Sequence, residues 1–306
     1  MGGWFCSEPE ETTQMLTTEE IRTFHGEGYL TGPGAIPSAS LDSLRSEVDC
    51  WVAESLSQAG PWGETFDGRP RFDVAPTHSA KYPALRRVDN PQCISKAYRE
   101  VVLDGVPVEL STQLIGSDIK FHHSKINLKL PDNRFEVDYH QDFGYTPHTN
   151  DDIVTVLLLL DDMGKDDGAV KVVPGSHLEG QKSLWLDDIF TGKVDPTIAN
   201  DCEARAQWVT GKAGDLCFLH TSLLHASAQN TSNNRRALLI SVYTAGDAFP
   251  LALSPVPNEF EGTVLRGRPA RSARMSLTNV ELPQNYRAAS FFSIQQNENQ
   301  LQGVQS

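Results

Sequence analysis

His140 and Asp142 stand one residue apart in YHQDFGYTPHTNDD, Tyr139 to Asp152, and both are residue types that bind divalent metals. Side chains alternate along a strand, so an extended backbone through Tyr139–Phe143 projects the pair from one face. A histidine from a distant strand would complete a 2-His-1-carboxylate site, whose open coordination positions suit non-haem Fe(II) oxygenases. The chain holds nine histidines, and two other pairs compete: His25-Gly26-Glu27 and His177-Leu178-Glu179. His25 falls at a helix end before a glycine turn and His177 follows a Pro-Gly turn, so capping or surface roles suit both. Downstream, LHTSLLHASAQNTSNNRRALLISVY offers His220 and His225 as third ligand, followed by Arg235 and Arg236. An arginine fork suits a dicarboxylate co-substrate, which is costly to bury in a barrel without a cationic partner. Adjacent strand residues face opposite ways, so only one arginine faces a pocket; periodicity does not choose.

The elements that must position these residues are short strands. In FHHSKINLKL, Ile126, Leu128 and Leu130 point one way and Lys125, Asn127 and Lys129 the other. Asn127 and Lys129 are candidates for co-substrate or substrate contact; an outer polar face on a half-exposed strand is the competing reading. DIVTVLLLLDD reads as a strand buried on both faces, and DDGAVKVVPGSH as a turn, a short strand and a Pro-Gly turn. GKAGDLCFLH, LLHASAQN and RRALLISVYTA supply three more strands. Close spacing of this kind predicts a mainly β sandwich or barrel with flanking N-terminal helices. One helix opens at the capping box Thr17-x-x-Glu20, and a second is capped by Ser40 and carries Leu41, Leu44, Val48, Trp51, Val52 and Leu56 at helical spacing. Residues 181–200 lack a clean period and read as a loop excursion or lid. The expected organisation is a loose N-terminus over 1–16, a single domain over 17–294 with its β core at about 117–250, and a tail over 295–306.

Composition narrows the classes. A net charge of −14 argues against nucleic acid as partner, because phosphate contacts need a cationic face. It also leans towards a neutral or zwitterionic small-molecule substrate. The basic set Arg266, Arg268, Arg271 and Arg274 reads as a solvated loop. No apolar run approaches the ~20 residues of a membrane helix. The start, MGGWFCSEPEE, lacks the regions of a secretory signal, and Cys6 stands where a myristoylation motif needs Ser or Thr. Five scattered cysteines without CxxC spacing fit reduced thiols, hence a cytoplasmic location.

Taken in order, His140-Gln141-Asp142, the DDGAVKVVPGSH segment, and His225-Ala226-Ser227 followed by Asn230 and Arg236 resemble the phytanoyl-CoA dioxygenase family. The likeness runs from about Leu16 to Tyr243 and is strongest over 121–243. It implies a double-stranded β-helix (jelly-roll, cupin-like) core and dependence on Fe(II), 2-oxoglutarate and O2. It implies His225 as third ligand beside His140 and Asp142, Arg236 as partner of the distal 2-oxoglutarate carboxylate, and Ser227 as a further donor there. His220 then becomes a strand residue near the site and Arg235 a surface charge. The expected reaction oxidises an unactivated C–H bond, most often by hydroxylation, with release of succinate and CO2. The expected substrate is a secondary-metabolite intermediate or an amino-acid-like compound. Asp142, in place of a small residue, disfavours the halogenating variant. Phe143, Tyr145 and His148 are candidates to line the pocket entrance, and Trp185 to close it. The competing functions are a cupin-like hydrolase or isomerase on the same His/Asp/His site and a non-catalytic jelly-roll binding module.

Overall fold

The computed structural model describes residues 15–32, 34, 36–131, 135–284 and 294–295. In chain order the first elements are α1 (Thr18–Glu27), β1 (Tyr29–Gly32), α2 (Ser38–Ser55), β2 (Phe72–Val74) and β3 (Leu85–Asp89). Then come α3 (Pro91–Ile94), α4 (Lys96–Asp104), α5 (Val106–Ile115), β4 (Ile119–Lys129), β5 (Val137–His140) and β6 (Ile153–Leu159). The rest are β7 (Val170–Val172), β8 (Trp185–Leu186), β9 (Ile189–Phe190), α6 (Pro196–Arg205), β10 (Gln207–Val209), β11 (Leu216–His220), β12 (His225–Ser227), β13 (Arg236–Ala245) and β14 (Val264–Arg266).

Local chemistry sets the ends of α1. Thr17 and Glu20 form the expected capping box, and Gly28 closes the helix at φ 79°. A Cβ at Gly28 would lie 2.4 Å from His177 Nδ1, so the position needs both left-handed backbone and empty space. Helix α2 starts at Ser38, two residues before the expected cap at Ser40, and no side chain caps it; Pro37 precedes it.

The strands build two facing sheets. The eight-stranded sheet runs β1-β11-β6-β13-β4-β3-β2, with β14 beside β4, and the four-stranded sheet runs β10-β7-β12-β5. Together they form the jelly-roll core. Leu157, Leu159, Val170, Val172, Leu219 and Leu238 fill the space between the sheets. On the outer side of the larger sheet, Ile126, Leu128, Leu158 and Leu239 pack with helix residues such as Leu44, Val48, Tyr98 and Leu114. The apolar side of β4 is therefore covered by helices, and its polar side, Lys125, Asn127 and Lys129, faces the interior. That overturns the reading of these residues as an outer polar face.

The expected loose ends lie almost wholly outside the described residues, as do Gly2 and Cys6. At their borders, the Leu16 N–H donates to Gln113 Oε1, and buried Gln295 accepts from the Asp138 N–H and donates to the Gly192 carbonyl. Residues 181–200 hold the β8–β9 hairpin (2-stranded) and the start of α6. No helix among the described residues is long and apolar enough to cross a membrane.

Candidate active site

Strands β5 and β12 pair antiparallel with His140 opposite His225, so residues distant in sequence become cross-strand neighbours. Their rings lie 4.2 Å apart. Strand β5 ends at His140; Gln141 stays extended at φ −113°, and Asp142 opens a 3-10 turn over Asp142–Gly144. The alternation thus carries one residue past the strand, and Asp142 emerges on the same side as His140. Asp142 Oδ1 is 3.7 Å from His140 Nε2 and 3.8 Å from His225 Nε2. One ligand atom from each residue lies within 4.8 Å of the others, the only such metal-holding group among the described residues.

The surroundings prepare these atoms as ligands. Each histidine donates its Nδ1–H to a backbone carbonyl two residues earlier, Asp138 at 2.8 Å and Leu223 at 2.9 Å, which leaves Nε2 with its lone pair. Thr155 Oγ1 donates to Asp142 Oδ2 at 2.6 Å. Burial, then the neighbouring His140, pushes the His225 imidazole down to about 4, so it is neutral at pH 7. Burial opposes ionisation of Asp142, yet attraction to His225, to His140 and to Lys125 outweighs it and holds the carboxyl well below its usual range. Two imidazoles and one carboxylate form a donor set suited to Fe(II).

Two cavities meet at this point, and Lys125 and Asp142 line both. The smaller has about 70 Å³ of room for atom centres and is walled by Asn127, Lys129, His140, His225, Ser227 and Arg236. Arg236 pairs with Lys129 in the β13–β4 register, which places two cations together in its wall. Buried Arg236 donates Nη2–H to the Gly168 carbonyl at 3.1 Å, while its Nε–H and Asn127 Oδ1 are buried without a partner. Lys129 Nζ donates to Ser227 Oγ at 2.9 Å and to the Ala228 carbonyl. Burial lowers Arg236 to about 10, and burial with Arg236 beside it takes Lys129 well below the usual range. A buried guanidinium with an unpaired donor is a place for a carboxylate. The larger cavity has about 1060 Å³ of such room, and Tyr145, Phe190 and Leu251 are among its lining residues.

Among the described residues, neither cavity wall includes Phe143, His148 or Trp185, so the expected entrance is built differently. Phe143 is buried with Ile153 and Val242. His148 is buried against His122, its Nδ1 bonded to the Thr146 carbonyl. Trp185 packs edge-on to Phe190 and donates Nε1–H to the Leu282 carbonyl. Each ring finds apolar or backbone partners that hold it away from the opening. Tyr145 does line the large cavity, with its hydroxyl donating to the Gly192 carbonyl at 2.5 Å. His220 accepts the Ser222 N–H and stacks near His177, away from both cavities. Arg235 is not a surface charge: it forks onto Asp161 and also reaches Asp49. Asn230 ties the β12–β13 turn by donating to the Lys129 and Asn234 carbonyls.

Sequence reasoning missed Gln141 and Thr155, which hold the ligand residues, and Arg87, which lines the large cavity. Gln141 is fully buried on the side opposite the ligands, donates to the Ser222 carbonyl and accepts the Lys182 N–H. It pins the backbone between two ligands; its burial left no mark in the sequence. The signals for Thr155 and Arg87 were a lone hydroxyl in an aliphatic run and charges inside LRRVD.

Comparison with known proteins agrees with this geometry. The profile described as Phytanoyl-CoA dioxygenase (PhyH) matches residues 24–238. The chain belongs to the phytanoyl-CoA dioxygenase family. It is 35% identical over 207 residues to a probable alpha-ketoglutarate-dependent hypophosphite dioxygenase of Stutzerimonas stutzeri, covering 65% of this chain and 69% of that protein. With L-proline trans-4-hydroxylase of Streptomyces griseoviridis it shares 27% over 157 residues, 44% of this chain and 58% of the other. The structure of EctD from S. alaskensis with 2-oxoglutarate and 5-hydroxyectoine superposes with a TM-score of 0.64 at 18% identity, covering 92% of this chain and 90% of that one. The family member described here is an Fe(II)- and 2-oxoglutarate-dependent dioxygenase that acts on a small molecule.

Proposed function

We propose that the enzyme hydroxylates a C–H bond of a small organic molecule held in the large cavity, with His140, Asp142 and His225 as iron ligands. The observation that carries this reading is the meeting of two cavities at the ligand set, one small and lined by Lys129 and Arg236, the other roomy. Arg236 grips the distal carboxylate of 2-oxoglutarate, and Lys129, through Ser227, adds positive charge beside it. Asn127 orients the co-substrate from the same wall. The bound iron supplies the oxidising chemistry, coupled to decarboxylation of 2-oxoglutarate to succinate and CO2. The protein holds two carbonyl-tethered imidazoles still and aims Asp142 with Thr155 and Gln141.

Anaerobic addition of 2-oxoglutarate to the Fe(II)-loaded enzyme should produce a charge-transfer band and raise the melting temperature. Treatment with EDTA should remove both, and Fe(II) should restore them. A hydrolase or isomerase on the same triad would bind the metal and show no response to 2-oxoglutarate.

A further inference from the structure

The chain carries a net charge of −14, yet four cations, Arg69, Arg86, Arg87 and Lys125, line the large cavity against three aspartates. In the β3–β4 register Arg87 lies opposite Asn127 and Asp89 opposite Lys125, so Arg87 and Lys125 are diagonal neighbours. The Arg87 side chain is only 6% exposed, and its Nε–H donates to Asp89 Oδ1 at 2.5 Å. Among the described residues its Nη1 and Nη2 meet no acceptor, and neither is sealed away from the cavity. Two nearby arginines differ. Arg86 forks onto both oxygens of Asp73, and Arg69 holds Asp67 and the Pro255 carbonyl. Burial, then the charge of Arg87, lowers the Lys125 ammonium to about 8. Asp142 and Asp89 favour the charged Lys125, and a further anion between Arg87 and Lys125 would favour both cations. Farther out, the same cavity is lined by Leu251, Leu253 and Leu282, which are 39%, 63% and 51% exposed.

We propose that Arg87, braced by Asp89 and flanked by Lys125, is an oxyanion subsite, and that the substrate is an amphiphilic acid. A carboxylate or phosphonate of the substrate accepts two parallel hydrogen bonds from Nη1 and Nη2, and its apolar body lies toward the leucine-lined mouth. This rests on the proposed hydroxylase reading and adds the chemical class of the substrate to it.

The test is calorimetric and needs no turnover. Mn(II)-substituted enzyme saturated with 2-oxoglutarate is titrated with hexylphosphonate, hexanoate and hexanol. The acids should bind at least about tenfold more tightly than the alcohol, and Arg87→Gln should weaken the acids by roughly 10–100-fold with no effect on hexanol. Arg87→Lys should recover part of the loss, and the ratio of the two acids tells which oxyanion the fork prefers. Because Arg87→Gln leaves Asp89 without its partner, the pair Arg87→Gln/Asp89→Asn is measured beside it, with unfolding midpoints for both. Equal binding of acid and alcohol, or unchanged acid binding in folded variants, overturns the oxyanion subsite. Failure of the wild-type protein to bind Mn(II) and 2-oxoglutarate before any probe is added overturns the hydroxylase reading instead.

Discussion

Two groups of histidines lie in this barrel, and they behave differently. His140 and His225 face each other at 4.2 Å with Asp142 beside both, and each has its Nδ1 tied to a backbone carbonyl. His122, His123 and His148 form the other group: His122 lies 4.9 Å from His123 and 5.1 Å from His148, and the Nδ1 atoms of His122 and His123 are 2.6 Å apart. In that group two imidazoles bond to one another, and the nearest acid to His122 Nε2 among the recorded ion pairs is Glu261 at 3.9 Å. Density of histidine therefore does not make a metal centre. A carboxylate shared between two facing imidazoles does.

The comparison can be broken most severely at the carboxylate. His140→Ala, Asp142→Ala or His225→Ala should reduce substrate-dependent succinate formation to background, while His148→Gln retains it. Full turnover in any of the three ligand variants would show that the metal lies elsewhere. Next in size, Arg236→Gln should weaken 2-oxoglutarate by roughly 100–1000-fold, because the co-substrate carboxylate would sit buried without its counter-charge. Titration calorimetry on the Mn(II) form measures this, and a change below threefold would contradict the assignment. Thr155→Val removes the hydroxyl that steadies Asp142 and should cost about tenfold in metal affinity, read by competition with a chelator.

The second histidine group bears on stability rather than on turnover or affinity. Burial pushes His122 down to about 3 and His148 to about 4. Below the ordinary histidine value of about 6.5 the unfolded chain binds protons that the folded protein excludes. Each group therefore removes stability as pH falls from about 6.5, down to about 4 for His148 and about 3 for His122, with a slope near 1.4 kcal/mol per pH unit, and contributes no such loss above that window. Urea unfolding between pH 7.5 and 4.5 should show a shallower decline for His148→Gln than for the wild type. An identical decline would mean that His148 titrates as it does in water.

Much of the centre was legible from local pattern. The one-residue gap between His140 and Asp142, the order of the later motifs and the alternation in FHHSKINLKL all hold in three dimensions. The alternation had two faces, however, and only the covering helices decided that Lys125, Asn127 and Lys129 look inward. His148, Phe143 and Trp185 were misplaced for a related reason. Proximity in sequence to a ligand does not fix direction in a loop, and each ring found apolar or backbone partners elsewhere. Gln141 read as a spacer because its partners, Ser222 and Lys182, are 81 and 41 residues away.

The sequence by itself determined the chemical types: imidazoles and a carboxylate at strand spacing, a paired arginine, and strands whose side chains alternate. These are local properties, carried by residue identity and by a backbone repeat of two. The tertiary structure decided that His225 rather than His220 meets His140, that Arg236 rather than Arg235 enters the cavity, and that Arg87 stands in the wall with two nitrogens uncommitted. Those choices depend on register between strands far apart in the chain. A shift of one residue would turn every one of these side chains to the other face.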